Sequence, residues 1–132
     1  MAKKQGMVYV IDDDESVRRA IGRLLRSAHL NVETFASAED FLFNPREGQN
    51  ACILIDVQMP GLTGFDLQQR LLSEGIQIPA IVISASDDVQ IREHARELGA
   101  QAFFRKPVDD QALLDAIWWA IGGKGSRRVT VP

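Results

Sequence analysis

Five short apolar runs alternate with five helix-like segments along the chain, and this alternation limits the fold more than any other feature. The runs are short and mostly uninterrupted by polar residues, as is typical of strands buried on both faces of a parallel sheet. Strands and helices in alternation predict an α/β domain whose helices cover the sheet. The predicted strands are residues 8–11, 32–35, 52–55, 80–84 and 102–104.

The segments between the strands carry apolar residues at helical spacing, with charged residues mostly on the other face. Two of them begin with a capping-box pattern, "SAED" and "TGFD", and Val108 with Leu113 has the spacing of a hydrophobic staple. The predicted helices are residues 15–28, a short segment after Ser37, a segment from near Thr63 to Gly75, residues 87–98, and a segment that starts at Asp109.

Right-handed crossovers and helices on both faces predict how the strands are arranged. The expected fold is (βα)5, a doubly wound parallel five-stranded sheet of order 2-1-3-4-5 in a flavodoxin-like three-layer sandwich. The order reverses between strands 1 and 3, so side chains that follow these two strands share one crevice. The domain should cover residues 7–121, with an N-terminal tail at 1–6 and a flexible tail or linker at 122–132, which is rich in glycine and basic residues.

Composition excludes several classes of protein. The chain of 132 residues, 45% hydrophobic and 25% charged, suits one globular domain. A net charge of −3 argues against a broad basic face, so we expect these residues alone to bind no nucleic acid. No apolar stretch could span a membrane, and the first residues lack the apolar segment of a signal peptide. The single cysteine, Cys52, is expected to be a buried hydrophobic residue in a reducing cytoplasm.

Polar and charged residues follow four of the predicted strands where each strand ends. They are Asp12 and Asp13 after strand 1, Asp56 after strand 3, Ser84 at the end of strand 4, and Lys106 just after strand 5. Three carboxylates close together would repel one another unless a cation lay among them, and Mg²⁺ is the ion that suits carboxylates and phosphate oxygens together. A lysine and a hydroxyl beside it would bind the remaining oxygens of a phosphoryl group during its transfer.

Four motifs in this order give the chain a resemblance to a known family. With "IDDDE", "LIDVQMPGLTG", "VISAS" and "FFRKP", residues 7–121 resemble the receiver domain of two-component response regulators, most of all receivers that precede helix-turn-helix DNA-binding outputs. The resemblance implies a phosphoacceptor domain that takes a phosphoryl group from a sensor histidine kinase and then controls an output or partner. It also implies that the domain is not an enzyme, except that it catalyses its own phosphorylation and dephosphorylation.

The resemblance implies a role for each acidic residue. Asp56 would be the phosphoacceptor, which attacks the phosphohistidine of the kinase and becomes an acyl phosphate. Asp13 and Asp56 would bind Mg²⁺ directly, joined by the backbone carbonyl of Gln58, and Asp12 would act through a metal-bound water. The side chains of Gln58 and Ser86 would flank the path of the attacking water and tune the lifetime of the phosphoryl group.

Other roles also follow from the resemblance alone. Lys106 would pair with the phosphoryl group, and Ser84 would turn inward to form a hydrogen bond with it. Phe103 would be the switch aromatic, although plain core packing would equally explain a phenylalanine in a strand. Pro107 would follow a cis peptide bond, as an X-Pro bond at a tight turn can.

Two surfaces are candidates for binding partners. The arginines of the first helix suit either a solvated face or, by the resemblance, kinase docking; they are Arg18, Arg19, Arg23 and Arg26. The face made by the fourth helix, the fifth strand and the fifth helix is expected to switch on phosphorylation and to support a homodimer. Trp118 and Trp119 fall near the two edges of the buried stripe of the fifth helix, where either peripheral core or an interface would suit them.

Three other functions are compatible with parts of the pattern. "DDDES" approximates the motif of haloacid-dehalogenase-like phosphatases, with Asp12 as nucleophile and Asp14 as general acid, although Asp14 also suits helix capping and no later paired-acid motif follows. A flavin-binding module of the same topology would need a phosphate-binding loop where this chain has four consecutive acids. The third alternative is a receiver-like domain that binds proteins without being phosphorylated.

Overall fold

Five parallel strands form one sheet in the computed structural model, which describes residues 6–43, 50–86 and 88–122. The strands are β1 (Met7–Ile11), β2 (Asn31–Phe35), β3 (Ala51–Asp56), β4 (Ala80–Ser84) and β5 (Ala102–Arg105). Their order is β2-β1-β3-β4-β5, so the predicted topology and fold class are confirmed. Residues 1–5 and 123–132, which hold most of the two predicted tails, lie outside the described residues.

Helices connect the strands at the predicted places. They are α1 (Glu15–Ser27), α2 (Ala38–Phe43), α3 (Gly64–Ser73), α4 (Val89–Glu97) and α5 (Asp110–Gly122). The predicted start of the fourth helix at Asp87 lies outside the described residues. The fifth helix begins one residue after Asp109, because that side chain accepts the backbone N–H of Ala112 at 2.9 Å and so acts as a cap. None of these helices is long and apolar enough to cross a membrane.

Side-chain caps fix where α1 and α3 begin. The carboxylate of Asp14 accepts the backbone N–H of Ser16 at 2.9 Å and that of Val17 at 3.3 Å. Thr63 and Asp66 form a reciprocal capping box, with N–H to side-chain distances of 2.9 and 3.1 Å. The predicted capping box of "TGFD" and the predicted cap at Asp14 are therefore confirmed. Each cap of this kind contributes about 1 kcal/mol to stability.

Alternate residues of the central strand β3 enter two separate cores. Ile53 and Ile55 pack with α2 and α3 on one face of the sheet, and Cys52 and Leu54 pack with α1 and α5 on the other. All six residues of β3 are buried. Burial raises the pKa of the Cys52 thiol to about 12, so this residue is an inert part of the core, as predicted.

α4 is the helix least embedded in the described structure. Of its nine residues only Ala95 is buried, and it packs with Val57 and Val82 in a small third core. Because a helix that buries little apolar area is held by little free energy, α4 is the helix whose displacement should cost least.

Candidate functional site

The carboxyl ends of β1 and β3 bring the three predicted acids together. Ile11 of β1 pairs with Ile55 of β3, which places Asp12 beside Asp56. One oxygen atom from each of Asp12, Asp13 and Asp56 lies within 4.8 Å of the others. Asp12 and Asp56 are only 3% and 5% exposed, whereas Asp13 is exposed. The acidic cluster is therefore buried on one side and open to solvent on the other.

Both carboxylate oxygens of Asp12 already accept hydrogen bonds. Its Oδ1 accepts the backbone N–H of Asp14 at 2.9 Å, and its Oδ2 accepts Nζ of Lys106 at 3.1 Å. Asp12 is thus fixed in orientation, while Asp14 is engaged as the cap of α1. These contacts disfavour the phosphatase alternative, in which Asp12 would have to attack and Asp14 would have to deliver a proton.

Lys106 lies between the two buried acids. Its Nζ is 3.1 Å from Oδ2 of Asp12 and 3.5 Å from Oδ2 of Asp56. Burial alone would lower the pKa of Lys106, but the charges of Asp12 and Asp56 outweigh that effect and raise the pKa above its ordinary value of 10.5. Lys106 is therefore a permanent positive charge at neutral pH. The peptide bond to Pro107 is cis, as predicted.

The carboxyl group of Asp56 ionises less readily in the metal-free protein than the carboxyl group of a free aspartate does. Burial, followed by the charge of Asp12, raises its pKa from 3.8 to about 6, although Lys106 and the backbone N–H of Gln58 act in the opposite direction. Asp56 is thus still mostly ionised at pH 7. Its charge remains incompletely compensated, and a nearby cation would relieve that cost.

The donor atoms of this cluster fit Mg²⁺. All three side chains offer hard carboxylate oxygens, which Mg²⁺ prefers, and neither cysteine nor histidine belongs to the cluster. Three carboxylates face one ammonium group, so an ion of charge +2 would balance the site. The predicted ligand set of Asp12, Asp13 and Asp56 is therefore chemically suited to the ion, with an exposed side available for phosphate oxygens.

Short-range hydrogen bonds connect Ser84 to the start of α4. Ser84 is fully buried at the end of β4, and its Oγ accepts the backbone N–H of Ser86 at 3.0 Å. Oγ of Ser86 in turn accepts the backbone N–H of Asp88, the N-cap of α4, at 3.2 Å. A rotation of the Ser84 side chain that moved Oγ would break the first of these bonds. These two bonds link the side chain of Ser84 to the N-cap of α4.

Phe103 lies on β5 under α4. It pairs with Val82 of β4 and is partly buried on the face of the sheet that α4 covers. Arg92 of α4 lies over its ring, with Cζ 4.9 Å from the ring centroid, which is within the range of a cation–π interaction. The surroundings of the Phe103 ring therefore depend on where α4 lies.

Gly64 belongs to the site although the sequence reasoning assigned it no role. A Cβ at this first residue of α3 would lie 2.5 Å from the backbone oxygen of Asp56 and 2.9 Å from Cα of Val57. The backbone N–H of Gly64 also donates to the carbonyl of Val57 at 3.0 Å. Only glycine lets α3 begin so close to the strand that carries Asp56. The available signal was a glycine directly after the capping threonine in "TGFD".

Arg18 is the second residue whose role near the site was missed. The sequence suggests a solvated or docking arginine, but Nη1 of Arg18 donates to the backbone carbonyl of Asp12 at 2.7 Å. Arg18 therefore supports the loop that carries the acidic cluster. No local pattern predicts this bond, because it joins a helix side chain to a backbone atom of the preceding loop.

Comparisons with known proteins agree with this geometry. Residues 8–118 match the family model of the response regulator receiver domain. The response regulator protein TodT of Pseudomonas putida is 37% identical over 132 residues, which cover 100% of this chain and 58% of TodT. The transcriptional regulatory protein TdiR of Thauera aromatica is 42% identical over 110 residues, which cover 83% of this chain and 48% of TdiR. The chain thus spans about half the length of these curated relatives.

The solved structure of FixJ-N has the same fold. It matches with a TM-score of 0.83 at 32% identity, covering 91% of this chain and 96% of that structure. The family match and this structural match favour none of the three alternative functions.

Proposed function

The chain belongs to the response regulator receiver domain family of two-component signalling, and we propose that within it Asp56 accepts a phosphoryl group from the phosphohistidine of a sensor kinase in the cytoplasm. The observation that carries this proposal is the convergence of three acids and Lys106 at the carboxyl ends of the strands. We take residues 7–121 as the receiver domain, with 1–6 and 122–132 as flanking segments.

In this proposal Asp56 is the nucleophile. One of its carboxylate oxygens forms a bond to phosphorus as the bond from phosphorus to the imidazole nitrogen breaks, and the bonding electron pair stays on that nitrogen. Asp56 must be ionised to attack, and a pKa near 6 leaves it mostly ionised at neutral pH. Lys106, 3.5 Å from Asp56, is placed to balance the charge of the phosphoryl oxygens.

Mg²⁺ would be held by the residues of the acidic cluster. We assign direct contacts to Asp13, Asp56 and the backbone carbonyl of Gln58, and a contact through water to Asp12. The indirect role of Asp12 is supported by its two oxygens, which already accept hydrogen bonds from Asp14 and Lys106. When bound, the ion supplies positive charge that offsets repulsion between the phosphoryl oxygens and the carboxylates.

Phosphorylation would be transmitted through Ser84. If the Ser84 side chain rotates so that its Oγ moves to the phosphoryl group, its bond to the N–H of Ser86 is lost and the entry to α4 is altered. Phe103 could then repack beneath α4, away from its contact with Arg92. Such a change is a shift between two packings, so the phosphorylated protein must favour one of them. The weak embedding of α4 supports this proposal.

The proposed partners are a sensor histidine kinase and a second copy of the chain. The face made by α4, β5 and α5 would switch on phosphorylation and form the homodimer. The switched face would in turn control an output or a partner. We propose that the side chains of Gln58 and Ser86 tune the lifetime of the phosphoryl group, and that residues 7–121 alone bind no nucleic acid.

Intact-mass spectrometry tests the phosphoacceptor. A small-molecule phosphodonor with Mg²⁺ should add one acid-labile phosphoryl group to the wild-type chain and none to Asp56→Asn. Asp12→Asn should still be labelled, at a reduced rate, because Asp12 only supports the metal. Normal labelling of Asp56→Asn together with loss of labelling in Asp12→Asn would contradict the assignment and favour the phosphatase alternative.

A further inference from the structure

A basic concavity lies beside the edge strand β2, outside the acidic cluster. It has a volume of about 230 Å³ and is lined by Glu15, Arg18, Arg19, Arg26 and Thr34. Three of these five residues are arginines, so the patch is locally positive although the whole chain carries a net charge of −3. Guanidinium groups that converge in one concavity repel one another unless an anion lies among them.

Two of the three arginines use only part of their donor capacity. Nη2 of Arg19 pairs with Glu15 at 2.6 Å, and Nη1 of Arg18 donates to the backbone carbonyl of Asp12 at 2.7 Å. A guanidinium group has five N–H donors, so each of these side chains retains donors for a ligand. The Arg26 guanidinium has no hydrogen bond or ion pair with any described residue. Among the described residues Arg26 is therefore the arginine of the patch whose guanidinium has no hydrogen-bond partner.

Gly22 provides the space in which Arg26 lies. One turn before Arg26 on α1, a Cβ at Gly22 would be 3.1 Å from Nη1 of Arg26 and 3.6 Å from its Cζ. The guanidinium group thus folds back along the helix surface, toward the turn that carries Arg18 and Arg19. Glycine is unfavourable in the interior of a helix. A bulkier residue at position 22 would remove the surface on which the Arg26 guanidinium rests.

The opposite wall of the concavity comes from β2. Thr34 pairs with Val10, which belongs to the core formed with α1 and α5, so Thr34 points to the side of the sheet that α1 covers. Glu33 pairs with Tyr9, which belongs to the core on the other face, so the carboxylate of Glu33 points away. Glu15, already paired with Arg19, is the one acid that lines the patch.

We propose that Arg18, Arg19, Arg26 and Thr34 form a binding site for a phosphate-type oxyanion, with Arg26 as its principal ligand. The planar guanidinium fork matches the oxygens of a phosphate group, and the Thr34 hydroxyl adds a further donor. A concavity of about 230 Å³ suits a phosphate group or a small phosphorylated molecule and is too small for a partner helix. The proposal is independent of the phosphoacceptor function of Asp56.

Amide NMR titration with inorganic phosphate tests this site. The buffer contains EDTA, so that no divalent ion draws phosphate to the acidic cluster, and a chloride titration at matched ionic strength is the reference. We expect saturable shifts at the Thr34 amide and the Arg26 Nε–H with phosphate only. A second titration with ATP distinguishes free phosphate from phosphate carried by a nucleotide, because contacts with the base or sugar would add shifts outside the patch.

Matched variants separate a site from diffuse attraction. Arg26→Ala should raise the dissociation constant for phosphate at least about tenfold, whereas Arg23→Ala, which removes the same charge from α1 outside the patch, should leave it nearly unchanged. Gly22→Leu keeps every charge but occupies the space of the Arg26 guanidinium, and it should lose the response while retaining the wild-type circular dichroism.

Three results would overturn the proposal: equal weakening in Arg23→Ala and Arg26→Ala, wild-type binding in Gly22→Leu, or the same shifts with chloride. Asp56→Asn should titrate like the wild type, because Asp56 lies outside the patch. Phosphate binding at the patch is therefore tested separately from phosphorylation of Asp56. Failure of either proposal would leave the other standing.

Discussion

Asp56 is held at a position where its own charge destabilises the metal-free fold. Its pKa rises from 3.8 to about 6 on folding, so the native state binds the proton more tightly than the unfolded state does. Stability from this group is therefore greatest below pH 4 and falls as the pH rises to about 6. The difference between the two pKa values corresponds to a loss of at most about 3 kcal/mol in the free energy of unfolding.

Asp56→Asn should consequently be more stable than the wild type at pH 7 in EDTA, by up to about 3 kcal/mol, because it removes an unfavourable buried charge. The difference should nearly vanish at pH 3.5, where the carboxyl group is mostly protonated in both states. Urea unfolding followed by circular dichroism at both pH values measures it. Asp115→Asn, the same change at an exposed position on α5, is the control. A destabilised Asp56→Asn at pH 7 would contradict this electrostatic account.

Neighbouring acids should differ sharply in their effect on metal binding. Asp13→Asn removes a proposed direct ligand and should weaken Mg²⁺ binding by roughly tenfold or more. Asp14→Asn should change it little, since Asp14 caps α1 and asparagine caps equally well. Isothermal titration calorimetry compares the two variants directly. Equal losses of affinity would show that the cluster attracts the ion only by its summed charge.

Some residues of the site can be predicted from the sequence because strand ends are visible in it. Asp12, Asp56, Ser84 and Lys106 each come at or just beyond the end of an apolar run, and parallel strands bring such positions to one edge. Gly64 could not be predicted in the same way. Its importance lies in a distance of 2.5 Å to a backbone atom of another element, which depends on how α3 packs against β3.

At the scale of elements, capping signals predict helix starts well but contacts between helices poorly. Gln68 illustrates the difference. In the sequence it is a polar residue on an amphipathic helix, yet it is 2% exposed, and its Nε2 donates to the Ala95 carbonyl in α4 at 3.1 Å. Its Oε1 is buried and has no hydrogen-bond partner among the described residues. Gln68 therefore ties α3 to α4 at the cost of one unsatisfied acceptor.

Gln68→Met should leave the free energy of unfolding unchanged or raise it by up to about 1 kcal/mol. The variant loses one hydrogen bond, but it also removes the buried Oε1. A buried oxygen without a hydrogen-bond partner destabilises a fold by about 1–3 kcal/mol. The Ala95 carbonyl keeps a donor, the backbone N–H of Ala100 at 3.0 Å. Urea unfolding measures the change, with Gln69→Met on the exposed side of α3 as the matched control. If Gln68→Met, but not Gln69→Met, lowered the free energy of unfolding by well above 1 kcal/mol, Oε1 would have to be hydrogen-bonded to an ordered water in the wild type.

For the whole molecule, the face made by α4, β5 and α5 has features of an interface between two copies. Trp118 and Trp119 are 46% and 40% exposed on α5, so both offer apolar surface to a partner. α4 exposes Arg92 and Arg96 together with Glu93 and Glu97, whereas α5 exposes Asp110 and Asp115. The arginines and glutamates of α4 cancel in charge, so the exposed tryptophans of α5 are the main feature that suggests an interface.

Phosphorylation should accordingly promote dimers and change tryptophan emission. In the proposed switch Ser84 and Phe103 adjust α4, which forms one side of this face. The chain's two tryptophans both lie on the adjacent α5. Trp119→Ala should raise the dimer dissociation constant by about tenfold or more without blocking phosphorylation, since buried aromatic side chains dominate interface energies. Light scattering and intrinsic fluorescence measure these effects.

Phe43→Ala is the control for this prediction. It removes an aromatic side chain that is 86% exposed on α2 and should leave dimers intact. A phosphorylated protein that stays monomeric at high concentration with unchanged emission would refute the proposed face, while Asp56 would remain the phosphoacceptor.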